Sequence, residues 1–356
     1  MFKQMEIKSA SGVYNVEFDH TEFEKVNDFL GESSHFIVDS NLIDLYPVVL
    51  QKVISSSNAI IIDASEHSKE ITRVLPIIES LLKNGIKRNH TIVAIGGGVI
   101  QDITCFISSV LFRGVNWKFV PTTLLAQADS CIGSKSSINL GKNKNILGTF
   151  KPPQEILICP AFLKTLDKQE ILSVIGEIIK VHVIDGIDSA DKVSASYDEL
   201  LASPTALLGF IERSLYIKKK FIEQDEFDQN IRNIFNYGHS FGHAIESATQ
   251  FAIPHGIAVT IGMDMANRIA AWRNLISESH YNRMHGVLSK NYEGYKSSYI
   301  PLDKLIAALK KDKKNTAAKL VLIMPVGEGA VIQKVEITAD NEFVKQCDNF
   351  LMSLSE

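Results

Sequence analysis

The sequence predicts an α/β protein with two domains, in which a parallel-sheet domain precedes a mostly α-helical one. Strand-type and helix-type segments alternate through the first 160 residues, which is the pattern of a parallel sheet with crossover helices. Later segments instead show helical apolar spacing with few β-branched runs. A chain of 356 residues also suits two domains. We therefore expect one domain over residues 1–160 and a second over 161–356.

The elements of the first domain follow one another as strand and helix. Continuous apolar runs, such as IVAI at 92–95, fit strands that are buried on both faces. The predicted strands are 35–40, 58–65, 91–98, 117–121 and 155–159, and the predicted helices lie near 41–53, 67–84 and 99–112.

Prolines in KPP at 151–153 and CP at 159–160 interrupt regular secondary structure and indicate the boundary before the second domain. A pair of β-type runs within 320–337 predicts a hairpin around Gly327 and Gly329. The predicted helices are 168–186, 204–224, 238–250, 256–274 and 302–311.

Composition excludes several classes of protein. Hydrophobic residues make up 45% and charged residues 22%, which is the mixture of an ordinary globular protein rather than a disordered one. With 37 basic against 41 acidic side chains, nothing indicates a nucleic-acid partner. The cysteines at 105, 131, 159 and 347 form no CxxC pair, so we expect reduced thiols. No apolar run approaches the roughly 18 residues of a membrane helix, and we expect a cytoplasmic protein.

Three consecutive glycines, Gly96 to Gly98, follow a predicted strand and open a predicted helix. Glycines at such a turn allow close approach of a pyrophosphate, and the helix N-terminus supplies N–H groups and a positive dipole. The GxGxxG pattern is incomplete because Gln101 occupies the third glycine position. A tight strand–helix turn without a ligand is an equal alternative. Asp102 either caps the helix or binds a ribose.

Three histidines are concentrated between residues 236 and 256. His239 and His243 are four residues apart and share one helical face, while His255 follows in a loop. This pattern suits a divalent metal, although core or capping histidines are the ordinary alternative. Ser240 excludes the HExxH protease pattern. A carboxylate ligand is then expected, and Glu177 is the candidate because a glutamate inside an apolar helix needs a partner.

Clustered cations indicate an anion site. Lys135 and Lys144 lie in a segment rich in glycine and small polar residues, while Lys218 lies on a predicted helix and Arg232 follows it. Several such groups suit a substrate that carries both a carboxylate and a phosphate. The alternative is a solvated charged face.

Together these motifs resemble the 3-dehydroquinate synthase family within the sugar phosphate cyclase superfamily. The resemblance extends from about residue 35 to residue 325, and its strength lies in the order and spacing of many motifs. They are GGGVIQD (96–102), LFRGV (111–115), VPTTLLAQADS (120–130), GSK (133–135), KNILGTF (144–150), FLKTL (162–166), GEIIK (176–180), NYGHSFGHAIE (236–246) and HG (255–256).

The resemblance implies a Rossmann-like N-terminal domain, an α-helical C-terminal domain and an active site in the cleft. It implies one divalent metal, zinc or cobalt, bound by Glu177, His239 and His255. It also implies NAD, contacted by Asp39, Glu66, Lys69, Gly97, Gly98, Val99, Ile100, Asp102, Thr122, Thr123, Lys135, Lys144, Phe162, Leu163, Lys164 and Thr165.

The implied substrate is a seven-carbon keto-acid phosphate. Its implied contacts are Arg113, Asp129, Lys135, Asn145, Lys218 and Arg232, and the implied catalytic residues are Lys180, Asn236, His243 and Asp228. Transient oxidation by NAD, phosphate elimination, reduction, ring opening and aldol closure then form the carbocycle. Arg113 matches an arginine that reaches across a dimer interface, so a homodimer is implied.

Several positions depart from the family pattern: Gln101 replaces a glycine, GSKSS at 133–137 replaces GGKTG, and Asp228 and Asn230 replace a glutamate and a glycine. A specialised cyclase of secondary metabolism is therefore one alternative. A metal-dependent polyol or alcohol dehydrogenase is another, as is a nucleotide-binding protein that has lost catalysis. The cationic cluster argues against the dehydrogenase, because a neutral alcohol needs no anion clamp.

Overall fold

The computed structural model describes residues 4–31, 34–311 and 319–354. The chain divides into two compact units, the first comprising Met1–Leu166 and Ile211–Asp228, and the second comprising Asp167–Phe210 and Gln229–Glu356. The segment 211–228 therefore belongs to the first unit, and the expected boundary at residue 160 stays a prediction.

The first unit is built on a sheet of seven strands in the order β1-β2-β9-β6-β5-β3-β4. Neighbouring strands are parallel except for the antiparallel pair β1 and β2. Its strands are β1 (Gln4–Ser9), β2 (Gly12–Phe18), β3 (Ser34–Asp39), β4 (Ala59–Ile62), β5 (Thr91–Gly96), β6 (Asn116–Pro121) and β9 (Glu155–Ile158), while β7 (Ile138–Leu140) and β8 (Asn143–Leu147) form a separate hairpin.

Short helices connect these strands. They are α1 (Val26–Leu30), α2 (Asn41–Leu45), α3 (Gln51–Ile54), α4 (Ile71–Lys83) and α5 (Gly98–Val110), with 3-10 helices at Glu66–Lys69, Leu111–Arg113 and Pro160–Thr165 and a π-helix at Ala126–Ser130. The five predicted strands are confirmed. The single helix expected near 41–53 is wrong, because Pro47 disfavours helical geometry at Tyr46 and separates α2 from α3.

The sheet has a topological switch point between β3 and β5. The chain passes from β3 to β4 on one side and then returns to place β5 on the other side of β3. Connections leave the two strands in opposite directions there, and open α/β sheets bind ligands in the resulting crevice. Asp39 ends β3 and Gly96 ends β5, so the predicted glycine turn lies at this point.

Two antiparallel hairpins of the first unit are not among the predicted strands. In β1 and β2, buried Met5 and Ile7 alternate with polar residues, and Tyr14, Val16 and Phe18 do the same. That period of two is the usual signal of a half-buried strand. The hairpin β7–β8 carries a weaker signal, because most of β8 is exposed.

The second unit is mostly helical, as predicted. Its helices are α6 (Lys168–Asp185), α7 (Ile187–Ala195), α8 (Tyr197–Ala202), α10 (His239–Ala248), α11 (His255–Trp272), α12 (Glu278–Asn291), α13 (Leu302–Lys311) and α14 (Asn341–Ser353). Helix α9 (Pro204–Ile222) begins in this unit. The predicted hairpin is confirmed as the antiparallel pair β10 (Lys319–Val326) and β11 (Val331–Thr338), and short 3-10 helices lie at Ile231–Asn236 and Glu293–Tyr295.

Helix α11 is the central element of this unit. Its residues from Gly256 to Asn267 are buried without interruption, so the helix is surrounded by other parts of the unit on every side. Helices α6, α10 and α12 pack against it. Helix α6 begins at a capping box, in which the Asp167 carboxylate accepts from Glu170 N and the Glu170 carboxylate accepts from Asp167 N. No helix among the described residues is both long and apolar enough to cross a membrane.

Candidate functional site

Glycines allow three helices of the second unit to approach each other closely. A Cβ at Gly176 would lie 2.5 Å from the Gly256 carbonyl oxygen, and one at Gly262 would lie 2.2 Å from the Gly238 carbonyl oxygen. The first contact joins α6 to α11 and the second joins the start of α10 to α11. The residues adjacent to three of these glycines are Glu177, His239 and His255. Close packing thus brings the predicted metal ligands together.

The atoms of this cluster are spaced as metal ligands are. Glu177 Oε1 lies 3.6 Å from His239 Nε2 and 3.7 Å from His255 Nε2. Two ligands with zinc bonds of about 2.1 Å and a tetrahedral angle lie about 3.4 Å apart. These separations are long for hydrogen bonds but suit donors arranged around one cation. The residues present therefore fit a divalent metal.

His243 lies beside the same cluster. One ring nitrogen from each of His239, His243 and His255 lies within 4.8 Å of the others. The His243 ring centroid is 5.4 Å from that of His239 and 5.7 Å from that of His255. The His243 side chain is exposed whereas Glu177 is buried, so the geometry is compatible with the predicted ligand set of Glu177, His239 and His255.

A second layer of polar groups orients the three proposed ligands. Lys180 Nζ contacts Glu177 Oε2, which leaves Oε1 directed at the two imidazoles. His255 Nδ1 lies 3.2 Å from Glu246 Oε1, and His239 Nδ1 lies 3.2 Å from the Tyr237 carbonyl oxygen. The tautomers that donate from Nδ1 present Nε2 lone pairs to the cluster, which is the arrangement common to metal-binding histidines.

The two imidazoles have different acidities. Burial, reinforced by the charge of Lys180, lowers the pKa of His239 to about 3, so this ring is neutral and able to bind a metal. Burial also disfavours the charged form of His255. There the hydrogen bond to Glu246 and the charge of Glu177 outweigh it and raise the pKa. A metal ion would therefore compete with a proton at His255, whereas His239 is already neutral.

Glu246 is absent from the predicted site residues. It is buried on α10, seven residues after His239 and nine before His255. The argument that singled out Glu177 applies to it equally, because a buried carboxylate requires a partner. The sequence therefore contained a reason to single out Glu246, but it did not reveal that the partner of Glu246 is His255.

The carboxyl ends of the parallel strands in the first unit collect many of the predicted cofactor residues. Asp39 ends β3, and Gly97 follows β5. A Cβ at Gly97 would lie 2.8 Å from Thr123 Cγ2, so any larger residue would force the Thr123 side chain to shift. Gly98 begins α5, a helix of 13 residues whose N-terminal N–H groups and dipole favour an anion. Thr122 and the 3-10 helix Pro160–Thr165 follow β6 and β9 at the same edge.

Lys69 contacts three other predicted residues of the first unit. Its Nζ lies 3.0 Å from Asp102 Oδ2, donates to Asn145 Oδ1 at 2.8 Å and lies 3.6 Å from Glu66 Oε1. Burial raises the pKa of Asp102 despite the nearby Lys69. Asn139, which the predictions omit, donates to Glu66 Oε1 at 2.8 Å and completes this polar network.

The unusual Gln101 has a clear structural role. Its Nε2 donates to the Ser130 carbonyl oxygen at 2.6 Å, and Ser130 Oγ donates to Gln101 Oε1 at 2.7 Å. These two bonds join α5 to the π-helix that contains Asp129. Gln101 therefore connects these two elements.

Two predicted substrate-binding cations are paired with carboxylates within the first unit. Lys218 Nζ donates to the Asp129 carbonyl oxygen at 2.6 Å and to its Oδ1 at 2.9 Å. Lys135 Nζ contacts Asp228 Oδ2. The structure thus joins four predicted residues into two pairs.

Other predicted residues occupy less direct positions. The Phe162 ring packs in the core against Tyr46, with centroids 5.0 Å apart, and Ile100 and Leu163 are buried too. Only their backbones are available to a cofactor. Val99 is half-buried and Thr165 Oγ1 lies 2.9 Å from Tyr46 Oη. Three predicted residues of the first unit are exposed, namely Arg113, Lys144 and Lys164. In the second unit, Arg232 is buried. Asn236 donates to the Asn233 carbonyl oxygen at 3.0 Å.

The fold has close counterparts among solved structures. A 2-epi-5-epi-valiolone synthase from Streptomyces hygroscopicus subsp. jinggangensis, solved with NAD+ and Zn2+ bound, is 25% identical with a TM-score of 0.79, and the match covers 96% of each chain. A 2-deoxy-scyllo-inosose synthase complexed with carbaglucose-6-phosphate, NAD+ and Co2+ is 22% identical with a TM-score of 0.81, over 98% of this chain and 99% of that one. The fold is that of the sugar phosphate cyclases, which confirms the predicted fold class.

Sequence comparison identifies the family within that class. Models described as 3-dehydroquinate synthase N-terminal and C-terminal match residues 59–173 and 174–315. A 3-dehydroquinate synthase from Thermoanaerobacter sp. is 34% identical over 354 residues, which covers 96% of this chain and 97% of that protein. The chain belongs to the 3-dehydroquinate synthase family.

Proposed function

We propose that this chain is a carbon–oxygen lyase that converts 3-deoxy-arabino-heptulosonate 7-phosphate into 3-dehydroquinate and inorganic phosphate. Membership of the family over nearly the whole chain supports this reaction. The structural observation that carries the proposal is the cluster of Glu177 with His239 and His255. A family member that had lost catalysis would have no need to retain three such costly side chains.

Two bound groups would supply the chemistry that side chains lack. Glu177, His239 and His255 would hold one divalent cation, zinc or cobalt, which acts as a Lewis acid on a substrate hydroxyl. The glycine turn at Gly97 and the α5 N-terminus would hold NAD, which accepts a hydride and returns it, so that net redox is zero. The structural neighbour from Streptomyces binds both groups, which supports this pairing.

The remaining residues would bind and orient the substrate. Lys135, Lys218 and Arg232 supply positive charge for its carboxylate and phosphate. Asp129 and Asp228 contact the two lysines before substrate binds, which would reduce the side-chain entropy lost on binding. The preference for a substrate with two anionic groups follows from this number of cations.

Proton movement would fall to the residues around the metal ligands. His243 is exposed beside the cluster and is suited to give a proton to the leaving phosphate oxygen or to take one from the substrate. Lys180 holds Glu177 Oε2 and presents its charge to the same region. Asn236 precedes His239 by three residues and would orient a substrate hydroxyl.

A polyol or alcohol dehydrogenase is the competing activity, and product analysis distinguishes the two. The enzyme, supplied with NAD and zinc or cobalt, is incubated with the keto-acid phosphate and with a small panel of sugar phosphates and polyols. Inorganic phosphate and absorbance of reduced cofactor are followed in parallel. We expect phosphate release from the keto-acid phosphate without accumulation of NADH, and loss of activity with a chelator that zinc or cobalt reverses. Steady NADH formation from a polyol without phosphate release would contradict the proposal.

We also propose that the active protein is a cytoplasmic homodimer. Arg113 is exposed in a short 3-10 segment, where it and Phe112 adopt left-handed backbone conformations with φ of 64° and 51°. A backbone held this way presents a side chain outward at a defined angle, which suits a contact with a second subunit. Light scattering after size-exclusion chromatography measures the oligomeric state. A monomer with full activity would refute the proposed homodimer.

A further inference from the structure

Lys135 lies between two segments of the first unit that adopt unusual backbone conformations. The preceding residue, Ser134, is buried and has φ of 67°. Asp228, which Lys135 contacts, has φ of 54°. Left-handed conformations at non-glycine residues persist only where surrounding contacts stabilise them. Both segments must therefore be held by other parts of the unit.

The N-terminal hairpin contacts both segments. Tyr14 on β2 is 1% exposed, and its hydroxyl oxygen accepts from Gly133 N at 3.3 Å, one residue before Ser134. After β1, Ala10 N donates to Glu226 Oε2 at 2.6 Å, two residues before Asp228. Within β1, Lys8 N donates to Glu223 Oε1 at 2.9 Å. The hairpin thus holds the segment before Lys135 and the segment that carries its carboxylate partner.

The two segments are also joined directly. Ser134 Oγ donates to Glu226 Oε1 at 3.0 Å, so one carboxylate accepts from the hairpin with one oxygen and from Ser134 with the other. The rings of Phe150 and Phe227 pack edge to face with centroids 5.2 Å apart. Hairpin, Glu226, Ser134 and Gly133 form a closed ring of contacts around the base of Lys135.

We infer that Glu226, Ser134 and Tyr14 are positioning residues that fix Lys135 for the anionic group of the substrate. This inference rests on the proposed function, in which Lys135 binds that group. A lysine side chain loses rotamer freedom when it binds an anion, so an anchored base and a preset partner strengthen its contact. The N-terminal hairpin, although it closes one edge of the sheet, then contributes to substrate affinity.

Ser134→Gly is the most informative variant, because glycine adopts the left-handed conformation without strain and the substitution removes the hydroxymethyl group that contacts Glu226. Glu226→Ala removes both acceptors, and Glu226→Gln restores one acceptor oxygen. Tyr14→Phe removes the hydroxyl that accepts from Gly133 N. We expect each loss variant to raise KM for the keto-acid phosphate about fivefold or more with little change in kcat, the coupling expected within one hydrogen-bonded network. Glu226→Gln should recover part of the loss.

A cycle with Lys135→Ala separates positioning from general structural damage. In the Lys135→Ala background, Ser134→Gly and Glu226→Ala should have no further effect on KM. Tyr197→Phe and Glu278→Ala serve as matched controls, because they remove a hydroxyl bonded to Asn291 and a carboxylate paired with Arg268, neither of which belongs to the ring of contacts around Lys135. Thermal unfolding confirms that each variant is folded.

Additive effects in this cycle would overturn the positioning role while leaving the function of Lys135 intact. Unchanged KM in Lys135→Ala itself would overturn the substrate role of that lysine, and the inference with it. Wild-type KM in both Ser134→Gly and Glu226→Ala would overturn the inference alone. These outcomes keep failure of the positioning role distinct from failure of the proposed function.

Discussion

Glu246 Oε1 and His255 Nδ1 lie 3.2 Å apart, so a carboxylate on α10 orients a proposed metal ligand at the start of α11. The imidazole presents its other nitrogen to Glu177. Carboxylate, imidazole and metal in this order fix both the tautomer and the ring angle of the ligand.

Replacing Glu246 with alanine should weaken metal binding without removing any proposed ligand. The expected loss in zinc affinity is about 10- to 100-fold, which is typical when the outer partner of a metal-binding histidine is removed. Competition with a chromogenic chelator measures this directly. Glu246→Gln retains an acceptor oxygen and should lose less. Glu278→Ala, which removes an exposed partner of Arg268, is the control and should bind zinc normally. Equal affinity in Glu246→Ala and wild type would contradict the role.

The glycine contact between the start of α10 and α11 should be intolerant of one methyl group. Gly262→Ala would place Cβ 2.2 Å from the Gly238 carbonyl oxygen and 2.8 Å from Gly242 N, both backbone atoms that cannot rotate away. We expect a loss of about 1–3 kcal/mol in the free energy of unfolding, together with weaker zinc binding. Urea denaturation and chelator competition measure the two effects.

Gly286 on α12 is the matched control, because a Cβ there would meet no atom within 4 Å. Gly286→Ala should stabilise the protein by about 0.5–1 kcal/mol, since alanine favours the helix, and it should leave zinc affinity unchanged. If Gly262→Ala proved as stable as Gly286→Ala, close packing would not position the ligands.

Two histidines on α12 should give opposite pH dependence of stability. The hydrogen bond of His285 to Asp264, at 2.8 Å, raises its pKa above the ordinary value despite partial burial. The charged form is therefore favoured in the folded state. The contribution of His285 is fully present below about pH 6.5 and is lost as pH rises through the folded pKa.

His280 shows the reverse effect, because burial, followed by the charge of Arg283, lowers its pKa. Wild type should lose stability through His280 as pH falls below about 6.5. Denaturation midpoints from pH 5 to pH 9 for His285→Gln and His280→Gln test both signs. At low pH, wild type should be more stable than His285→Gln. At the same pH, wild type should be less stable than His280→Gln. Parallel curves for the two variants would refute the assignment.

Arg232 should matter for substrate much more than for NAD. Its side chain is buried in the 3-10 helix Ile231–Asn236, and a buried guanidinium that meets an anion makes a strong, charge-assisted bond. Arg232→Ala should therefore lower kcat/KM for the keto-acid phosphate by 10-fold or more, roughly the value of such a bond, and change NAD affinity little. Arg283→Ala, which loses an exposed pair with Asp191, is the control. A larger effect on NAD affinity than on substrate would show that the arginine serves the cofactor.

Elements with a strong period or a long apolar run were predictable. The strand that contains IVAI and the helices α6 and α11 could be predicted because the spacing of their apolar residues indicates which positions are buried. The helix expected near 41–53 failed because a backbone restriction at Pro47 outweighs apolar spacing. The N-terminal hairpin shows the period-two signal but was missed, because the prediction followed the alternation of strand with helix, to which an antiparallel hairpin does not belong.

The candidate site was predictable only as a set of costly residues. Glu177 stands out because burying a carboxylate costs free energy unless it has a partner, and the three histidines stand out because they are close together in the sequence. The same argument about burial applies to Glu246. Which atoms meet is another matter. The link from Ser134 to Glu226 spans 92 positions of the chain, and no local pattern indicates it.

The sequence by itself determined the alternation of strands and helices, the glycine turn at the end of β5 and the residue types able to bind a metal, because these depend on local periodicity and on the cost of burying each side chain. Only the tertiary structure decided that Lys135 meets Asp228 and that Glu246 serves His255. Such pairings depend on how closely helices and loops approach, which is set by packing among residues distant in the chain.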